Sequence, residues 1–257
     1  MLLRKRNFST LLSSPQLRLV SPWDKLFFEK PPKTKSFPKR EKMPQDKGCY
    51  ILYNVEQGSS DWKDMRKGRI TMSNIGKVVD HAPYYKGTKE ELALEILGKL
   101  KIEHPPDALR RMNRGTKYEP RVRDLLGRRL GVEIRETGFA VWKQDQRFGA
   151  SLDGIIDEEC GIEIKCPARM YKPILSYMRK REIGEATDDE IDHIYKSQYD
   201  QVIGNGVITG RKWMYFCVYG IEDKHLFIQK VKVDYKYWNK FLYPESCKFY
   251  DQYMKVL

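Results

Sequence analysis

The sequence predicts an α/β domain with a mixed central β-sheet flanked by helices. Three observations lead there. Segments of helical periodicity come first, followed by a meander of short strands, a helix, two alternating strands and a closing helix. No stretch approaches the ~20 continuous apolar residues that a membrane-spanning helix requires, so no membrane partner is expected. No internal repeat runs through the 257 residues, a length that suits one large domain or a domain with appendages.

In chain order, Ser59, Ser60 and Asp61 would cap a helix that starts near Trp62. Thr71, Met72 and Ser73 could open another, continued by Ile75, Val78 and Val79. Residues 89–100 are amphipathic, with Leu92, Ile96 and Leu100 on one side. Residues 138–142, 152–156 and 161–166 read as strands, and the polar segment with Gly161 between the last two reads as a hairpin turn. Residues 188–202 read as a helix. Residues 213–219 and 226–233 alternate as a β-hairpin around Glu222, Asp223 and Lys224, and 235–257 form an aromatic-rich closing helix.

Charge divides the chain. The net charge of +13 points to an anionic partner, of which nucleic acid is the commonest. Residues 1–48 hold twelve Lys or Arg, four acids and six of the thirteen prolines. Prolines at 31, 32, 38 and 44 forbid a long helix or a central strand, so this segment is expected to be disordered or extended. Its first 23 residues lack acids and include Arg4, Lys5, Arg6, Arg18 and five Ser or Thr, the composition of an organelle transit peptide. Arg6 before Asn7, Phe8 and Ser9 resembles a mitochondrial processing site, and mitochondrial localisation is the expectation. A basic tail that holds DNA or aids nuclear entry is the alternative, which Lys39 and Arg40 keep open. Five dispersed cysteines (49, 160, 166, 217 and 247), without a C-x-x-C pair, argue against a zinc ribbon or a four-cysteine cluster.

Residues 49–257 are denser in apolar side chains and form the expected catalytic domain. Within it, residues 110–129 hold Arg110, Arg111, Arg114, Lys117, Arg121, Arg123, Arg128 and Arg129 against only Glu119 and Asp124. Tyr118, Val122, Leu125, Leu126 and Leu130 recur at helical spacing, which leaves the other faces almost wholly arginine. Solvated helices usually mix signs, so a phosphate-facing surface is expected. Glu119 either neutralises that field or serves as a further metal ligand.

The sharpest motif spans 150–167. Glu163 and Lys165 are two apart on a strand and share a face, with Ile162 and Ile164 on the other. A paired strand would bring Asp153 beside them. Two carboxylates can hold a hard divalent cation, and a lysine beside them can hold or deprotonate a water. The competing reading is an ordinary half-solvated strand.

Four ordered blocks decide between the two. They are W-K-D-M-R-K-G-R-I-T-M-S, R-G-T-K-Y-E-P, S-L-D-G-I-I with G-I-E-I-K-C-P, and Q-Y-D-Q-V with I-T-G-R-K-W. Together they resemble the phage lambda exonuclease and YqaJ-like viral recombinase family, a branch of the PD-(D/E)XK nucleases, over roughly 61–239. The resemblance implies a restriction-endonuclease-like core and a Mg²⁺-dependent deoxyribonuclease, with Mn²⁺ able to substitute. It implies 5′-to-3′ digestion of linear duplex DNA in recombination, repair or turnover. Asp153, Glu163 and the backbone carbonyl of Ile164 would hold the metal, with Glu119 reaching it directly or through water. Lys165 would position or activate the attacking water, and Arg66, Ser73 and Thr71 would bind the terminal 5′ phosphate. The family's second helical Gln has no direct counterpart, so Gln198 or Gln201 takes its place or the contact is absent.

The resemblance also implies a homo-oligomer, a trimeric ring in some relatives, a single-strand annealing protein as partner, and a large DNA virus as another source. An endonuclease or flap nuclease with the same metal site, or a non-catalytic DNA-binding module, are the competing functions.

Overall fold

The computed structural model describes residues 45–256 apart from 102, 104 and 188. The transit-peptide and tail readings of residues 1–44 lie outside the described residues. The fold begins with β1 (Gln45–Asp46) and β2 (Tyr50–Tyr53), so Gln45 and Asp46 of the segment set apart by composition are part of a sheet. Then come α1 (Ser60–Arg66), β3 (Ile70–Thr71), α2 (Met72–Val78), α3 (Lys89–Ile96) and α4 (Pro106–Leu130). Four strands follow: β4 (Phe139–Trp142), β5 (Phe148–Ala150), β6 (Gly154–Ile155) and β7 (Cys160–Lys165). After α5 (Lys172–Glu182) and α6 (Lys196–Ile208) come β8 (Trp213–Gly220) and β9 (His225–Lys232). The chain closes with α7 (Tyr235–Tyr237), a π-turn Trp238–Leu242, α8 (Tyr243–Phe249) and a second π-turn Tyr250–Met254.

The strands form two mixed sheets rather than the one central sheet expected. One runs β1-β2-β4-β5-β3 and the other β6-β7-β8-β9. The break falls at Ser151, Leu152 and Asp153, where the chain leaves β5 before entering β6. Each sheet contains one parallel pair, β3 with β5 and β7 with β8. The second sheet is covered on both faces. Ile162 and Ile164 point toward Val122, Leu125 and Leu126 of α4, while Glu163 and Lys165 point toward α6.

Local signals explain most boundaries. Ser59 Oγ accepts from the Trp62 amide and starts α1. Thr88 and Glu91 form a reciprocal capping box on α3. That helix ends at Ile96 rather than near residue 100, because Gly98 (φ +72°) takes the left-handed conformation that terminates helices, and Leu100 is left exposed.

The helix expected over 188–202 is instead α6, shifted to Lys196–Ile208. Ile191 and Ile194 mimic helical spacing, but Ile194 bonds back to Ile191 in a turn and buries without a helix. The helix then runs through Gly204 and Gly206, which local propensity would place outside it. Packing requires them: a Cβ on Gly204 would lie 2.1 Å from Met72 Sδ, and one on Gly206 2.4 Å from Val233 Cγ2. On the far side, Trp142 meets Phe148, Trp238 and Tyr243 edge-to-face while Trp238 stacks on Tyr243, with ring centroids 5.5–6.1 Å apart, and this cluster fastens the closing helix to the first sheet.

Candidate active site

The β7 strand places Glu163 under α6 with 1% of its surface exposed, so this alternating strand is not a solvated one. A carboxylate so buried needs partners. Glu163 Oε1 accepts from Lys165 Nζ at 2.7 Å and from Gln201 Nε2 at 2.7 Å, and its Oε2 accepts from Asn205 Nδ2 at 2.8 Å. Gln201 also accepts from Lys165 Nζ at 2.9 Å through its amide oxygen. Gln201 and Asn205 are four apart on α6 and share a face, so one helix supplies both amides. Burial alone would lower the Lys165 ammonium, but Glu163 and Asp153 outweigh it and hold the lysine above its usual value, protonated.

Asp153 comes alongside because the β6–β7 hairpin returns the chain. Its backbone amide donates to Ile162 O at 3.1 Å, and its Oδ2 accepts the Ile164 amide at 2.6 Å. Burial, then the Glu163 and Glu119 carboxylates, raise the Asp153 carboxyl well above the usual range. Burial and Glu163 also raise Glu119, against the pull of Arg123. Glu119 accepts from Arg123 Nη2 at 3.0 Å, so it neutralises a guanidinium while lying within electrostatic reach of Asp153 and Glu163.

Asp153, Glu163 and Glu119 repel one another and supply oxygen donors of the kind that hard divalent cations take. The residues therefore fit a Mg²⁺-type ion. Among the described residues no three His, Cys, Asp or Glu side chains stand together as a preformed metal-holding group.

Arg66, Thr71 and Ser73 meet as a second cluster. Arg66 Nη2 donates to Ser73 Oγ at 2.8 Å and to Thr71 Oγ1 at 3.2 Å, and the two hydroxyls are 3.1 Å apart. The guanidinium sits 4.1 Å above the Trp62 ring, whose Nε1 donates to Ser151 Oγ at 2.8 Å. Burial pulls the Arg66 guanidinium down to about 10 against the weaker opposing influence of Glu95, and no carboxylate lies within ion-pair distance of it among the described residues. A desolvated cation flanked by two hydroxyls is built to receive an anion. Ser151, two residues before Asp153, ties this pocket to the carboxylates.

One open sequence alternative narrows and one expectation changes. Gln201 makes the contacts to Lys165 and Glu163, while Gln198 Oε1 is buried without a partner. Arg123 is not part of a phosphate-facing surface. Its Nε donates to Asp153 O at 2.6 Å and its other nitrogens reach Glu119 and Glu136, so it pins α4 to the Asp153 turn. Its i,i+4 spacing from Glu119 carried that signal. Sequence reasoning also missed Asn205, which the same spacing from Gln201 could have found.

A mixed α/β fold that brings Asp153, just ahead of β6, beside Glu163 and Lys165 of β7 is the arrangement of the PD-(D/E)XK nuclease class. Residues 61–212 match the YqaJ-like viral recombinase domain. The match spans more than half of the chain, and the protein belongs to the YqaJ-like viral recombinase family. Among solved structures it is similar to an alkaline exonuclease, LHK-Exo, from Laribacter hongkongensis, with 22% identity and a TM-score of 0.57 over 77% of this chain and 94% of that one. The structure of LHK-Exo in complex with dAMP matches with the same values. A phage-related exonuclease from Haemophilus somnus 129PT is 13% identical, with a TM-score of 0.50 over 76% of this chain and 98% of that one. No curated protein sequence matches the chain.

Proposed function

We propose that this protein is a Mg²⁺-dependent exonuclease that digests linear duplex DNA in the 5′-to-3′ direction. Its place among DNA exonucleases of recombination follows from its family. The observation that carries the mechanism is buried Glu163, held by Lys165, Gln201 and Asn205 beside Asp153.

In this reading Asp153, Glu163, the Ile164 carbonyl and Glu119 hold the cation, which when bound lowers the pKa of a ligated water and neutralises charge developing on the phosphate. The chain's own groups do the rest. Lys165, oriented by Gln201, presents its ammonium where the attacking water must sit and fixes that water by hydrogen bonding. Asn205 and Gln201 keep the Glu163 oxygens from turning away. Arg66, Thr71 and Ser73 take the terminal 5′ phosphate, which sets the strand and the end from which digestion starts.

The test uses 5′-phosphorylated linear duplex labelled at either end, beside a closed circle, with Mg²⁺ or chelator. Loss of the 5′ label as mononucleotide, with the circle intact and no reaction in chelator, is the expected result. Cutting of the circle, or release starting at the 3′ label, overturns it. The acid-free first 23 residues support mitochondrial import, and a fluorescent reporter fused after residue 48 checks this by its location.

A further inference from the structure

The basic helix α4 has two separate flanks. Glu119 and Arg123 lie on one and face Asp153 and Glu136. Arg110, Arg114, Lys117, Arg121 and Arg128 recur at spacings of four, three, four and seven, which stacks them along the opposite flank. Contacts fix that orientation. Arg114 Nη1 lies 3.7 Å from Glu222 Oε1 in the β8–β9 turn. Arg121 sits 5.8 Å from the centroid of the Tyr118 ring, which stacks on Tyr219 of β8. These cations therefore do not line the carboxylate site. They form a row on the far side of the helix that carries Glu119, about 27 Å long from Arg110 to Arg128.

The row is available to an anion. Lys117 and Arg121 are exposed and have no carboxylate partner among the described residues. Arg110 pairs with Asp107 and Arg128 with Asp124, but all four side chains are 36–71% exposed. Such surface pairs contribute little and exchange readily for phosphate.

We infer that this outer flank of α4 is a track for the phosphate backbone of single-stranded DNA, namely the strand that digestion leaves behind. The inference rests on the exonuclease reading for the source of that strand. Charge complementarity selects a polyanion. Shape selects a single strand, because a straight row of cations meets a duplex backbone only where the curving strand crosses it, whereas a flexible strand can lie along the whole row.

The test measures binding of fluorescein-labelled oligo(dT) and of blunt duplex to the full chain in chelator, across salt concentrations. Wild type is compared with Lys117→Gln/Arg121→Gln and with Arg110→Gln/Arg114→Gln. For each pair, oligo(dT) affinity should fall about tenfold, and the slope of log K against log salt should shrink by about 1.4, from about 0.7 per lost phosphate contact. Blunt-duplex affinity and hydrolysis of a short duplex in Mg²⁺ should stay within about twofold of wild type. Unchanged oligo(dT) affinity and slope overturn the inference, as does an equal loss for duplex. If no DNA is hydrolysed by any form yet the oligo(dT) effect is seen, the exonuclease reading falls and the track stands. Equal unfolding temperatures confirm that the substitutions leave the fold intact.

Discussion

Gln201 accepts the Lys165 ammonium at 2.9 Å, and the same amide donates to Glu163 Oε1 at 2.7 Å. One side chain thus sets both the strand lysine and the strand carboxylate, from a different element. Removing it leaves Lys165 bonded to Glu163 but free to swing. Gln201→Ala should lower kcat by about 10–100-fold with little change in KM for DNA, and Asn205→Ala should weaken the apparent Mg²⁺ affinity by a similar factor. Steady-state rates across Mg²⁺ concentrations check both. A Gln201→Ala enzyme within twofold of wild type would show that the amide is only packing.

Metal removal should expose the repulsion among Asp153, Glu163 and Glu119. Burial and the neighbouring carboxylates raise Asp153, so its ionised form is costly without a cation. Asp153→Asn keeps an acceptor for the Ile164 amide while deleting one charge. In chelator it should melt about 2–4 °C above wild type, the shift for ~1 kcal/mol in a chain of this size. In Mg²⁺ the wild type should gain stability and the variant should not. Thermal melts with and without Mg²⁺ decide, and a less stable variant in chelator would refute the repulsion.

The Arg66 pocket should confer a preference for 5′-phosphorylated ends. Arg66→Ala should reduce wild-type discrimination between 5′-phosphate and 5′-hydroxyl duplex to near unity. Arg66→Lys should recover only part of it, because an ammonium lacks the planar fork that spans Thr71 and Ser73. Initial rates on the two substrates measure this, and undiminished discrimination in Arg66→Ala would place the phosphate elsewhere.

His193 should make stability depend on pH. It stacks on Tyr177 with centroids 3.9 Å apart, donates from Nε2 to Gln229 Oε1 at 2.7 Å, and leaves Nδ1 buried without a partner. Burial pulls its imidazole below the ordinary 6.5, against Gln229, Glu190 and Asp192. A base depressed on folding takes up its proton more readily in the unfolded chain, so its contribution is complete above 6.5 and is lost as pH falls below that value. Melting temperature should drop between pH 7 and pH 5 more steeply for wild type than for His193→Phe. Parallel curves would contradict this.

The site was more legible in sequence than the fold around it. Asp153, Glu163 and Lys165 follow from strand alternation and a short turn, both local properties, and the hairpin register brings them together. Arg66, Thr71 and Ser73 are seven positions apart at most and bridge one helix, one short strand and the start of the next helix. The boundaries of α6 were not legible, because Gly204 and Gly206 are dictated by Met72 and Val233, both distant in sequence. Short strands such as β2 and β5 were missed for a related reason. With four and three residues, YILY and FGA, they are too short and too uniform in hydropathy to show a period in sequence. The inward turn of Arg123 was masked by the arginines around it: its i,i+4 spacing from Glu119 signalled one partner, but the Asp153 carbonyl and Glu136 lie farther along the chain and meet it only in three dimensions.

The central claim is that Asp153, Glu163 and Lys165 form a metal-dependent hydrolytic centre. Single-turnover hydrolysis of a 5′-phosphorylated linear duplex in Mg²⁺, with wild type beside Asp153→Asn and Lys165→Ala, tests it most directly. Wild type should release mononucleotides, and each variant should be slowed about 10³-fold or more while binding the duplex as tightly. Variants that cut within about threefold of wild type would contradict the claim.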